Sequence, residues 1–212
     1  MLPSKEDQIE ALAMEARTRW GLIYQRCPCV LTCVFKLKNE GLISGYHRVK
    51  DEYLPDDEAQ YDPHLRVLRL RESVFCAAND FLSSSTARRR ARFTVMHEIG
   101  HVLRGHSRVR HRNISNRKIK KIVMQTQVDE SEADRFASAF LVPVHLVDIN
   151  RSPTARDISE EFLISIRAAE IRLEELTRLH RRKNNIKRDT PDFVRDYLLE
   201  AKSRGVDVKS LD

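Results

Sequence analysis

The chain has 212 residues, 41% of them hydrophobic and 33% charged, with 38 Lys and Arg against 31 Asp and Glu for a net charge of +7. That is enough apolar material for a real core, in one domain with an appendage or in two small ones. No apolar run reaches membrane-spanning length and none of signal-peptide type follows the N-terminus, which excludes a spanning helix and makes the cytoplasm the expected location.

The positive charge is clustered at residues 88–92, 104–112, 117–121 and 178–188. Such clusters attract nucleic acid or an acidic partner, although a charge run is more often a solvated face. The four cysteines fall at 27, 29, 33 and 76. Cys27, Cys29 and Cys33 lack the two-residue gaps of zinc ribbons, so reduced thiols near a strand are expected.

Taken in order, Ile9, Leu12, Ala13, Ala16 and Trp20 recur at helical spacing behind the possible cap Ser4, predicting a helix over residues 4–20. Residues 30–37 are rich in β-branched and aromatic side chains and read as a strand, with residues 42–49 as its hairpin partner. Residues 54–63 form a polar stretch bracketed by prolines and read as a loop. Residues 65–71 then alternate arginine with apolar residues, the pattern of an edge strand to which an extended substrate could pair.

Residues 92–103 contain His97-Glu98-x-x-His101 and, apart from that motif, Arg92 and Thr94, are apolar. Positions four apart on a helix share a face, so both imidazoles project the same way and can grip one metal ion. Glu98, roughly 100° round the helix from His97, can reach a water in an open coordination position, as in zinc peptidases. Residues 83–86 supply caps for this helix and Gly105 a left-handed stop. Gly100, in mid-helix, implies that another element comes close there. Residues 107–121 are basic and weakly periodic, readable as loop or exposed helix.

A catalytic zinc normally has three protein ligands. His106 is out of register for the extended metzincin motif. Residues 128–142 predict a helix ended by Pro143, offering Glu130 and Glu132. Glu130 shares its face with Ala133, Asp134, Ala137 and Leu141, where small alanines permit close approach, and this phase favours Glu130 over Glu132. Asp134, one turn on, either accepts a hydrogen bond from a ligating histidine or is a plain surface acid. Tyr61, His106 and nearby arginines are candidates for stabilising an oxyanion.

The series Arg-Phe-Thr-x-x-His-Glu-x-Gly-His (92–101), Glu-x-x-Ala-Asp-x-Phe-Ala (130–137) and Leu141-Val-Pro143 resembles the ImmA/IrrE family of metallo-endopeptidases, strongly from about residue 61 to 143. The resemblance implies an α+β, zincin-like fold: a small twisted sheet against helices that include the one bearing the motif, followed by a helical C-terminal segment. It places the metal ligands on His97, His101 and Glu130 and the general base on Glu98. It also implies a protein substrate, a helix-turn-helix repressor of the XRE type, whose cleavage would switch on stress or mobile-element genes. Zinc is the expected metal, with manganese or iron possible at an N/N/O site.

The domain expectation is a peptidase domain over 1–150 and a helical segment over 151–212 with a charged tail. Residues 154–173 have the rhythm of two short helices joined around 163–165, similar to a helix-turn-helix. Such a pair could bind DNA through Arg167 and Arg172 or pack on the peptidase core, and the missing turn glycine favours packing. Residues 183–188 read as a charged linker and 191–202 as a last helix. The rival to an enzyme is a non-catalytic regulator that binds DNA or a repressor around a structural metal.

Overall fold

The structure, a computed structural model, describes residues 4–106, 116–186 and 192–206. It is α+β: α1 (Lys5–Arg19), α2 (Val30–Asn39), β1 (Gly45–Val49), β2 (Ala59–Asp62), β3 (Val67–Arg71), α3 (Glu72–Asn79), α4 (Thr86–Arg104), α5 (Asn116–Leu141), α6 (Ala155–Phe162), α7 (Ile166–Lys183) and α8 (Asp192–Ser203). Contacts divide the chain into two compact units, 1–174 and 175–212, with the boundary inside α7. The second unit holds the C-terminal part of α7 and α8. No described helix is long and apolar enough to cross a membrane. The expected basic segment at 107–115, the end of the charged linker at 187–188, Pro191 and the tail from 207 lie outside the described residues.

Local chemistry accounts for the helix ends. Ser4 caps α1 in a reciprocal capping box with Asp7. Ser85 caps α4 by accepting from the Arg88 N–H, and Gly105 ends that helix at φ 67°. Thr154 and Asp157 form a second capping box at α6, and the α6–α7 turn passes through Leu163 in the left-handed region.

Three sequence expectations are corrected. Residues 30–37 are helical, and their buried positions Val30, Leu31, Cys33, Val34 and Leu37 follow the period of a helix face. The thiols of Cys27, Cys29 and Cys33 therefore border or lie within a helix. All four cysteines are unpaired, and burial pushes the Cys33 thiol up to about 12. Residues 54–63 contain a strand, β2. The sheet order is β1-β3-β2, so the arginine-bearing segment is the centre of the sheet, parallel to β1 and antiparallel to β2. Its alternation is real: Leu68 and Leu70 are buried, while Arg69 reaches Asp62 and Arg71 the Leu54 carbonyl. The free edges belong to β1 and β2.

The core lies where α4 packs on α5, with α1 against the other side of α5. Val95, Met96 and Ile99 of α4 are fully buried, as are Phe136 and Phe140 of α5, and Trp20 packs against Phe140 with ring centres 5.6 Å apart and planes tilted by 59°. Arginines fasten this core by binding main-chain carbonyls at element ends. Arg17 is buried beneath the last turn of α5 and donates to the Phe140 carbonyl at 2.7 Å. That places positive charge at a helix C-terminus, where it is favoured, and burial brings the guanidinium down to about 10.

The same device joins α4 to the α6–α7 pair. Arg89 donates to the Ile164 carbonyl at 2.8 Å, and Arg92 to the carbonyls of Pro28, Phe162 and Leu163. Arg172, a proposed DNA contact, is 1% exposed, donates to the Val142 carbonyl at 2.9 Å and pairs with Glu10. It is a packing residue, because its charge is already matched inside the fold. Arg167 is exposed and pairs with Glu170.

Candidate metal centre

Helix α4 presents His97, Glu98 and His101 at its buried C-terminal half. The two imidazoles meet edge to face, with their Nε2 atoms 3.0 Å apart. Helix α5 brings the Glu130 carboxylate to the same point, with one oxygen 3.2 Å from His97 Nε2 and the other 3.6 Å from His101 Nε2. Atoms bound tetrahedrally at zinc's usual bond lengths stand about 3.3 Å from one another. The three observed spacings bracket that value, and two imidazole nitrogens facing a carboxylate are the donor chemistry of a divalent-metal site, so the residues fit an ion. The ligand atoms of His97, Glu98 and His101 also lie within 4.8 Å of one another.

The approach of α5 depends on Gly100. A Cβ there would stand 3.1 Å from Ala133 Cα and 3.2 Å from both the Ala133 carbonyl oxygen and Phe136 Cδ1. Glu130 lies one turn before this contact and Asp134 directly after it. Gly100→Ala gains up to about 1 kcal/mol in helix propensity but overpacks the crossing, at about 1–3 kcal/mol. The expected net result is a lower thermal midpoint and weaker metal binding, as Glu130 is pushed away from the histidines. An unchanged midpoint with unchanged metal affinity would show that the crossing relaxes without consequence.

Hydrogen bonds set the rings. His97 Nδ1 lies 2.7 Å from Asp134 Oδ1. Because a carboxylate only accepts, His97 donates from Nδ1 and turns Nε2 to the convergence point, where a metal would displace its proton. Burial works against the charge on His97, but the hydrogen bonds to Asp134 and Glu130 and the field of Glu98 outweigh it and lift the group to about 9. Glu98 is buried, and its Oε2 accepts the Tyr61 N–H of β2 at 2.6 Å. The edge of the sheet thus orients this carboxylate, a link that the sequence did not disclose.

Glu132, the alternative third ligand, turns instead to Arg104, whose Nε is 2.8 Å away, and to His106 Nε2 at 3.3 Å. Burial alone would raise the Glu132 carboxyl, yet Arg104 and His106 hold it below its usual value. His106 is corrected as an oxyanion donor: it is buried, with Nδ1 on His101 Nδ1 at 3.0 Å and Nε2 on Glu132. Burial lowers His106 from its ordinary value. The part that Tyr61 plays here is its main-chain N–H. Exposure differs across the cluster: the side chains of Asp134, Glu130 and His97 are 59%, 39% and 15% exposed, whereas that of His101 is 1%.

An α+β domain that brings two histidines and two glutamates together where two helices cross has the make-up of a metallopeptidase. Comparison with known families agrees, for residues 81–174 match the family model described as the IrrE N-terminal-like domain, Peptidase_M78. That match is in line with the ImmA/IrrE resemblance and its zincin-like fold. Comparison with curated proteins gives no match.

Proposed function

We propose that the protein is a zinc-dependent endopeptidase that makes a limited cut in a protein substrate, with His97, His101 and Glu130 as ligands and Glu98 as general base. The observation that carries this reading is the convergence of the two Nε2 atoms and the Glu130 carboxylate at spacings suited to one tetrahedral ion. A zinc ion there supplies Lewis acidity, polarising the scissile carbonyl and making water a better acid.

The chain's own groups do the rest. Asp134 holds the Nδ1 proton of His97, which keeps the ring facing inward. Glu98, fixed by the Tyr61 N–H, takes a proton from the attacking water and delivers it to the leaving amine. The Tyr61 N–H points away from β3, and Ala59, two residues along, faces the same way. The outer edge of β2 is therefore the place for an extended peptide to pair, through the Ala59 main chain and the Tyr61 carbonyl because Glu98 holds the Tyr61 N–H, which moves the proposed substrate strand from β3 to β2. The resemblance supports a helix-turn-helix repressor of the XRE type as substrate, and derepression of stress or mobile-element genes as outcome. The inward ion pair of Arg172 speaks against DNA binding by the α6–α7 pair.

The test is incubation of the zinc-loaded protein with the repressor encoded nearest its gene, followed by intact-mass analysis. One cut, absent after chelation, is expected. Cleavage of other proteins but not of the repressor would remove the substrate assignment. Cleavage that survives full metal removal would remove the mechanism.

A further inference from the structure

The two histidines at the convergence point are oriented differently. Asp134 meets His97 directly, whereas His101 meets another histidine: its Nδ1 lies 3.0 Å from His106 Nδ1. Only one of two facing ring nitrogens can carry the proton in such a bond. The choice is made at the far side of His106, where the partners of Nε2 among the described residues are acceptors, Glu132 Oε2 at 3.3 Å and Asp129 Oδ1 at 3.8 Å. Arg104 grips that same Glu132 oxygen, with its Nε at 2.8 Å, and Lys5 stands 3.5 Å from the other. Glu132 is therefore anchored as an acceptor, His106 carries its proton on Nε2, and its bare Nδ1 accepts from His101 Nδ1–H. His101 is left with a bare Nε2 pointing at His97 and Glu130.

Local structure builds this arrangement. The left-handed Gly105 ends α4 and turns the chain back, so that the His106 N–H bonds to the His101 carbonyl at 3.0 Å and the two rings lie edge to face at 5.1 Å. Arg104, on the last turn of α4, and Glu132, on α5, close it from the other side. His101 and His106 are both buried, so water does not compete for these bonds.

We infer that Glu132 and His106 are positioning residues that act in series, Glu132 fixing the proton on His106 and His106 fixing the one on His101, so that His101 presents Nε2 to the metal. This rests on the metallopeptidase reading and adds residues that neither the motif nor helical phase identifies. His106 does not touch the metal or the substrate.

The decisive measurement is a long-range ¹H–¹⁵N spectrum of the zinc-loaded protein. The expected result is His101 protonated on Nδ1 and His106 on Nε2; a proton on His106 Nδ1 overturns the inference. Zinc affinity by competition with a chromophoric chelator gives a second readout. His106→Leu removes the acceptor and is expected to weaken zinc binding by about 10–100-fold, the usual cost of losing an orienting partner. His106→Asn sets an amide oxygen near the place of Nδ1 and should restore most of that loss. Thermal unfolding with chelator present separates orientation from folding: equal midpoints with a lost and rescued affinity support the inference. Wild-type affinity in His106→Leu, or a loss shared by both variants, overturns it. Failure of the wild-type protein to bind zinc would overturn the metallopeptidase reading itself.

Discussion

Glu98→Gln is expected to slow peptide-bond cleavage by about 10²–10⁴-fold, the usual contribution of a general acid–base group, with metal content unchanged. The substitution suits this site. Glu98 is buried and its Oε2 is held by the Tyr61 N–H at 2.6 Å. A glutamine oxygen can accept the same bond in the same volume, so the packing between β2 and α4 survives. What glutamine cannot do is take a proton. Initial rates alongside metal stoichiometry check this, and a variant that cleaved at the wild-type rate would sink the peptidase mechanism.

Metal uptake should depend steeply on pH. In the metal-free protein His97 keeps its proton up to about 9, because Asp134 and Glu130 outweigh the opposing effect of burial. A metal must displace that proton, so below about 9 the apparent affinity falls about tenfold per pH unit, one proton being released for each ion bound. The metal-free fold responds in the opposite sense. A histidine whose folded value is raised contributes stability that is full below its unfolded value, near 6.5, and lost as pH rises through about 9. The chelated protein should therefore melt at a lower temperature at pH 9 than at pH 6. Calorimetry in buffers of different ionisation enthalpy would count the released proton, and affinity that is flat between pH 6 and 8 would contradict the assignment.

The sequence made local features legible wherever one residue type has one physical use. Ser4 and Ser85 cap, Gly105 stops a helix, and Gly100 marks the crossing with α5, because each answers a steric or hydrogen-bonding demand within a few residues or at one contact. Helical phase likewise pointed Glu130 and Asp134 in one direction, and both lie beside His97. Where the sequence misleads, composition and period disagree. Val30, Leu31, Cys33, Val34 and Leu37 have β-forming side chains among them but the spacing of a helix face. The alternation in β3 correctly marks one buried face, yet it carries no information about which neighbours a strand has. The long-range bonds were hidden for a related reason. Nothing local to Arg17 or Arg172 announces a carbonyl of α5 or Val142, and nothing local to His106 announces Glu132, 26 residues on.

The uneven exposure of the cluster has a further consequence. Among the described residues, His101, Glu98 and His106 form a buried wall, Glu130 and Asp134 face solvent, and His97 lies between the two. In the proposed enzyme the ion and the peptide then both arrive over the exposed side of the cluster, past the Glu130 and Asp134 carboxylates. A peptide bound on that side would stand between the ion and a chelator, so substrate is expected to slow removal of the metal.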